Sequence, residues 1–259
     1  MSSSTDKRRA EIIDLINKDQ TVTVTGLGEI LGVSEVSIRR DLKHLEALGK
    51  LKRVYGGAIV IPPRSYGGVL ASRITLQREK KERIGKAAAE LIQKDDRIIL
   101  DSGTTTLEVA RHICSDILIS GNLTLITASV PILTEFGMCP GIHFIMLGGI
   151  FLRDYQVMVG PQTVEQLKGL YVDKIFLGSD GLTFSNGITT ANVLEAEVDR
   201  AMVNMASEII VVADSSKINS IGLVTIMPLT QIHKLITDTD APIDFVTELQ
   251  HYGVEVFLV

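Results

Sequence analysis

The chain has 259 residues, of which 45% are hydrophobic and 22% charged, with 22 glycines and no tryptophan. That balance excludes a disordered chain, no apolar run approaches the roughly 18 residues of a membrane span, and the length suits two domains better than one. The net charge of −5 is uneven: residues 1–64 carry 11 Lys and Arg against 8 Asp and Glu, and the remainder 15 against 23, so a mildly basic head joins an acidic body.

Three helical patterns come first. Lys7–Lys18 clusters Ile12, Ile13, Leu15 and Ile16 on one face. Val24–Leu31 is a shorter candidate, weakened by Gly26 and Gly28. After a turn at Gly32-Val33, Ser34 stands as an N-cap for Glu35–Leu48, whose Ile38, Leu42 and Leu45 form one buried stripe. Leu51–Val60, interrupted by Gly56-Gly57, reads as a β-hairpin wing. The turn-rich stretch that follows, with Pro62-Pro63 and Gly67-Gly68, reads as a linker, and Gln77–Arg83 opens a helix with a solvated charged face.

Seven strand-like runs then alternate with helical patterns such as Thr105–Ile113 and Leu194–Ala206. The runs are Arg97–Asp101, Leu123–Thr127, His143–Leu147, Lys174–Gly178, Glu208–Ala213, Lys234–Thr237 and Val254–Val259. This alternation predicts an α/β body, a doubly wound, mostly parallel sheet covered on both faces. The expected division is a winged helix-turn-helix over 1–58, a linker over 59–78 and the α/β domain over 79–259. Cys114 and Cys139 lack paired spacing and are expected to be reduced and buried; the five histidines are scattered. No metal, cofactor or secretory signal is expected, and the expected location is the cytoplasm.

On the third helix, Val36, Arg40 and Lys43 project opposite the buried stripe, with Ser37 and Arg39 beside them and Ser34 at the start. Arginine and small groups on such a face suit the major groove, where Arg bonds guanine bidentately. Lys52 and Arg53 on the wing would hold phosphates. A solvated basic face is the plain alternative. The residues from Arg8 to Ala58 closely resemble the helix-turn-helix of DeoR-type regulators, in Val33–Leu42 (VSEVSIRRDL), Leu45–Gly49 and Arg53–Ala58. Gly26 and Gly28 depart from that pattern. Asp41 is expected to orient Arg39 or Arg40 by an ion pair.

In the body, DSGTTT (Asp101–Thr106) ends a strand and starts a helix, a turn whose free amides and helix dipole favour phosphate. LGGIFLRD, LGSDGL and VADSSK also follow apolar strands, and would bring Arg153, Asp180, Asp214 and Lys217 to one crevice. Each is equally readable alone as a polar loop. These motifs, with Gly187–Met202, resemble the C-terminal sensor domain of the DeoR family, related in fold to ribose-5-phosphate isomerase and taking phosphorylated sugars or related metabolites. The resemblance implies that Ser102, Gly103, Thr104, Thr105 and Thr106 hold phosphate. It implies that Asp101, Asp180, Gly181 and Lys217 contact the sugar phosphate, with Arg153 beside them. Glu195 either faces the crevice or forms a solvated face with Asp199.

The expected function is a DNA-binding transcriptional regulator, not an enzyme: a repressor of carbohydrate genes whose grip on a double-stranded operator changes with a phosphorylated sugar. Paired half-sites imply a homodimer or homotetramer. The alternative is a sugar-phosphate isomerase, for which Asp180, Glu195 and Lys217 supply residue types; the fused head decides against it. A purely structural nucleic-acid binder leaves the body without a role.

Overall fold

The computed structural model describes residues 4–19, 21–47, 51–54, 56–60 and 70–259. The chain forms two compact units, residues 1–65 and 66–259.

In the first unit, α1 (Ser4–Asp19), β1 (Thr21–Thr23), α2 (Val24–Leu31), α3 (Glu35–Ala47), β2 (Leu51–Val54) and β3 (Gly57–Val60) follow in order. The expected hairpin is there, β2 pairing antiparallel with β3, but β1 adds a third strand on the other side of β3. Ile12, Ile16, Leu27, Ile38, Leu42, Leu45 and Leu51 are fully buried together, which closes the three helices over the wing. The glycines of α2 have steric reasons. A Cβ at Gly26 would lie 2.9 Å from the Thr23 hydroxyl that caps the helix, and one at Gly28 3.1 Å from the Val33 carbonyl.

The second unit continues with α4 (Leu70–Thr75), α5 (Arg78–Ala89), β4 (Arg97–Leu100), α6 (Thr104–Arg111), α7 (Ser115–Ser120), β5 (Leu123–Thr127), α8 (Val130–Phe136) and β6 (Ile142–Met146). Then come β7 (Ile150–Leu152), β8 (Val157–Val159), α9 (Pro161–Leu167), β9 (Val172–Leu177), β10 (Gly181–Thr183), β11 (Gly187–Thr190) and α10 (Val193–Val203). The last elements are β12 (Ala206–Val212), β13 (Val224–Met227), β14 (Lys234–Thr237), α11 (Ile243–His251) and β15 (Glu255–Leu258). The seven expected runs are the seven strands of one sheet, ordered β15-β14-β12-β9-β4-β5-β6 and parallel at every pairing. Alternate residues feed two cores: Ile98, Leu100 and Phe176 point to one face, Ile99, Ile175 and Leu177 to the other. Burial on both faces is why these strands read as near-continuous apolar runs.

A three-stranded antiparallel sheet, β10-β11-β13, and the hairpin β7-β8 were not among the sequence expectations. Of the 59–78 segment expected as linker, residues 59–60 complete β3, 70–75 form α4, and α5 begins at Arg78; residues 61–69 lie outside the described residues. The compact body thus starts before residue 79. The cysteines also differ from expectation, Cys114 being exposed and Cys139 half-buried.

Candidate functional site

Two sites are built separately, one in each unit. In the head, α3 buries Ile38, Leu42 and Leu45, so Val36, Arg40 and Lys43 necessarily stand on the outer face, and all three are exposed. Ser34 caps the helix, its hydroxyl accepting the Ser37 amide at 3.4 Å. Arg39 is drawn back to Glu35 at 2.8 Å, whereas Arg40 and Lys43 have no ion pair among the described residues. Val36 is 77% exposed, an apolar tip on a helix surface that otherwise carries charge. Arg53 is engaged by Glu46, through its amide at 2.9 Å and its Nε at 2.7 Å; the side chain of Lys52 lies outside the described residues.

Asp41 does something other than expected. It is 1% exposed and accepts from Arg8 Nε at 2.7 Å and Arg9 Nε at 2.9 Å, tying α3 to α1 instead of orienting Arg39 or Arg40. The signal was in the sequence: Asp41 stands three residues after Ile38 and four before Leu45, on the buried stripe.

In the body, the sequence runs outward from β4 to β6, then returns to β9 on the other side of β4. This topological switch opens a crevice at the carboxyl ends of β4 and β9. A cavity of about 180 Å³ sits there. Its walls include Ser102 to Thr106 from the start of α6, Asp180 after β9, Glu195 and Asp199 on α10, and Asp214 and Lys217 after β12. Asp101 joins the two sides of the switch, accepting from the amides of Ser102 at 2.5 Å and Gly178 at 2.9 Å. Gly103 reaches the α6 N-terminus at φ 130°, a conformation open to glycine, and no side chain caps the first-turn amides, whose residues line the cavity. The Thr106 hydroxyl is used locally, bonding the Gly103 carbonyl at 3.0 Å.

Arg153 is a correction. It is exposed on the β7-β8 turn and is not among the cavity-lining residues, while Tyr155, two residues on, is. Gly181 starts β10 beside the cavity wall, where a Cβ would lie 2.2 Å from the Ser220 carbonyl. Arg73 and Lys81 line the cavity although the sequence reading placed neither there. Lys81 belongs to the run read as a solvated face, yet it is buried and donates to the carbonyls of Arg73 at 2.6 Å and Leu76 at 2.7 Å. Its spacing to Ile84 and Ala88 marks the buried side of α5.

The acids of the cavity are not all charged. Burial pushes Asp101 up to about 6 against the pull of the Gly178 and Ser102 amides. Asp199, hydrogen-bonded to Asp101, is raised well above the ordinary range, by burial and then by Asp101 and Glu195. Burial, then the charges of Asp101 and Asp180, push Glu195 up to about 8. Asp180 pairs with Arg73 and accepts the Ala191 amide at 2.9 Å. Asp214 turns to the amide and hydroxyl of Ser216. Lys217 is left without an ion pair among the described residues, and burial lowers Lys81 to about 8. The cavity therefore brings together the α6 N-terminus, an ammonium without an ion pair among the described residues, and carboxyls of which Asp101, Glu195 and Asp199 are raised.

A pH effect follows. Between the ordinary glutamate value of 4.5 and about 8, folded Glu195 holds a proton that the unfolded chain has released, so stability falls as pH rises through that window. Each such group contributes about 1.4 kcal/mol per pH unit. Urea unfolding at pH 5, 6, 7 and 8 is expected to show declining stability, with a shallower decline in Glu195→Gln. An identical decline in both proteins would place the titration elsewhere.

Among the described residues, no helix is long and apolar enough to cross a membrane, and no cluster of His, Cys, Asp or Glu is arranged to hold a metal ion. Comparison with known proteins matches residues 8–69 to the DeoR-like helix-turn-helix domain and residues 76–239 to the DeoR C terminal sensor domain. A putative aga operon transcriptional repressor of Escherichia coli O157:H7 is 36% identical over 99% of this chain and 95% of its own length. The HTH-type transcriptional repressor GlcR of Bacillus subtilis is 31% identical, covering 98% of this chain and 96% of its own. Among solved structures, ribose 5-phosphate isomerase A from Methanocaldococcus jannaschii overlaps 54% of each chain at 18% identity and a TM-score of 0.39. With both domain models matched in order and full-length relatives named as repressors, the chain belongs to the DeoR family of transcriptional regulators.

Proposed function

We propose that this regulator represses genes of carbohydrate metabolism in the cytoplasm and that a phosphorylated sugar, bound in the body's cavity, changes its affinity for operator DNA. The observation that carries this reading is that the α6 N-terminus and Lys217 line one cavity, together with the carboxyls of Asp101, Asp180, Glu195 and Asp199. A phosphoryl group gains from several amides and one full charge there, while sugar hydroxyls find acceptors at Asp180 and Glu195. The raised acids matter, because three fully ionised carboxylates would repel a dianion. A homodimer or homotetramer would present paired heads to symmetric half-sites.

In the head, Arg40 reads a base edge, Val36 meets a thymine methyl, and Lys43 and Lys52 hold phosphates. Arg40→Ala is expected to cost about 1–3 kcal/mol on the cognate site and to relax preference at one position. Lys52→Ala should weaken all sequences alike and lower the salt slope by about one contact. Equal losses on selected and random DNA in both variants would remove Arg40 as a base reader.

Binding itself is tested by thermal shift of the intact chain with ribose 5-phosphate, fructose 6-phosphate, glucose 6-phosphate and the unphosphorylated sugars. The expected result is stabilisation by at least one phosphorylated member and by none of the parent sugars, with the ligand chemically unchanged by nuclear magnetic resonance after hours. Turnover at roughly 1 per second or more would instead establish an enzyme.

A further inference from the structure

Arg73 reaches the cavity from α4, the first element of the body after the residues that lead from the head. Its guanidinium donates through Nη2 to Asp180 Oδ1. The main chain of the same helix is held by Lys81, whose ammonium binds the Arg73 and Leu76 carbonyls. At the other end, the Leu70 amide donates to the Asp154 carbonyl at 2.9 Å, one residue before Tyr155. Leu70, Arg73, Leu76 and Gln77 all line the cavity, so α4 is one of its walls.

Six residues are too few to hold a helix in water unaided, so the position of α4 depends on what it is tied to. Two of those tethers, Asp180 and Lys81, are themselves cavity-lining residues. The joint to α5 is Gln77 at φ 53°, a left-handed conformation that side-chain-bearing residues rarely adopt. Beside Arg73 lies Glu195, 7% exposed, whose Oε1 receives the Ser102 hydroxyl at 3.4 Å and whose Oε2 has no partner. A buried polar atom left in that state is satisfied when a hydrogen-bonding partner arrives from the cavity.

We infer that Arg73 contacts the effector and carries occupancy of the cavity to the segment leading to the head. The inference rests on the reading that a phosphorylated sugar binds there. A ligand hydroxyl hydrogen-bonds to Glu195 Oε2 and competes for Asp180. The remaining guanidinium donors of Arg73 then turn to ligand oxygens, and α4 moves with its side chain. A guanidinium has five N–H donors, so it serves a carboxylate and a ligand together.

The test uses the intact chain, DNA duplexes it selects from a random-sequence library, and whichever of ribose 5-phosphate, fructose 6-phosphate or glucose 6-phosphate stabilises it. Saturating wild type with that sugar phosphate is expected to change DNA affinity by about 5–150-fold. Arg73→Met, which keeps the packing of the stem, should bind the sugar phosphate more weakly, and at concentrations that saturate it the DNA affinity should respond by less than about twofold, well below that coupling range. Arg73→Lys, which keeps the charge, should recover part of the response. A wild-type response in Arg73→Met overturns the inference and leaves the effector reading intact. Loss of both sugar-phosphate and DNA binding in both variants also overturns it, because Arg73 would then be merely structural. A wild-type chain that binds none of the sugar phosphates removes the effector reading, and this inference with it.

Discussion

Lys217→Ala is expected to bind its selected DNA as tightly as wild type and to lose its response to the sugar phosphate. Lys217 sits in the short turn 215–217 after β12, half-buried, lining the same cavity as the α6 N-terminus, with no ion pair among the described residues. A half-buried ammonium aimed at a dianion makes the stronger, charge-assisted kind of hydrogen bond. Truncating one partner of such a pair costs about 2–5 kcal/mol, or at least about 30-fold in effector affinity. Thr104 is the internal control. Its hydroxyl is one neutral donor among several amides, so Thr104→Ala should lose about 0.5–1.5 kcal/mol and respond at modestly higher concentration. Isothermal titration of the three proteins separates the cases. Wild-type affinity in Lys217→Ala would move the phosphate to another part of the sheet edge.

The second large effect is expected in the head. Asp41→Ala removes a buried carboxylate that answers two guanidiniums, Arg8 and Arg9, each about one-fifth exposed. Stranding a fully buried charge costs about 3–5 kcal/mol; because both arginines retain some water, about 2–4 kcal/mol is expected here. Hydrogen exchange of the intact chain should show that loss in the amides of α1 and α3 and none in β4 or β9. DNA binding should weaken on every sequence, in contrast to Arg40→Ala, because the whole helix loses its seat. Unchanged protection in α1 would show that the apolar core of Ile12, Ile16, Ile38 and Leu42 suffices alone.

These residues also show where sequence was informative. The parallel strands were legible because burial on both faces leaves short apolar runs punctuated by glycine and polar turns, and all seven lie where the periodicity put them. The recognition helix was legible for a related reason: one stripe of Ile38, Leu42 and Leu45 fixes which residues face out. The strands β10, β11 and β13 were not, being three or four residues long and held by pairing among themselves. Asp41 and Lys81 carried readable signals in their helical spacing, but charge suggested an ion pair with Arg39 or Arg40 for the first and solvent for the second, and their partners or cavity could not be seen locally. Arg73 was hidden differently. Its six-residue helix follows a stretch rich in proline and glycine, and its link to Asp180 spans 107 positions. Arg153 was expected at the crevice because it follows the LGG turn, yet on the β7-β8 hairpin it is exposed, and Tyr155 lines the cavity instead.

Filling the cavity with a phosphorylated sugar is expected to alter the grip on DNA. The most direct measurement is the affinity of the intact chain for its selected duplex, by fluorescence anisotropy at fixed ionic strength, with and without the sugar phosphate that stabilises it. A change of about 5–150-fold is expected with the phosphorylated sugar and none with the parent sugar. Binding of the sugar phosphate without any change in DNA affinity would contradict it.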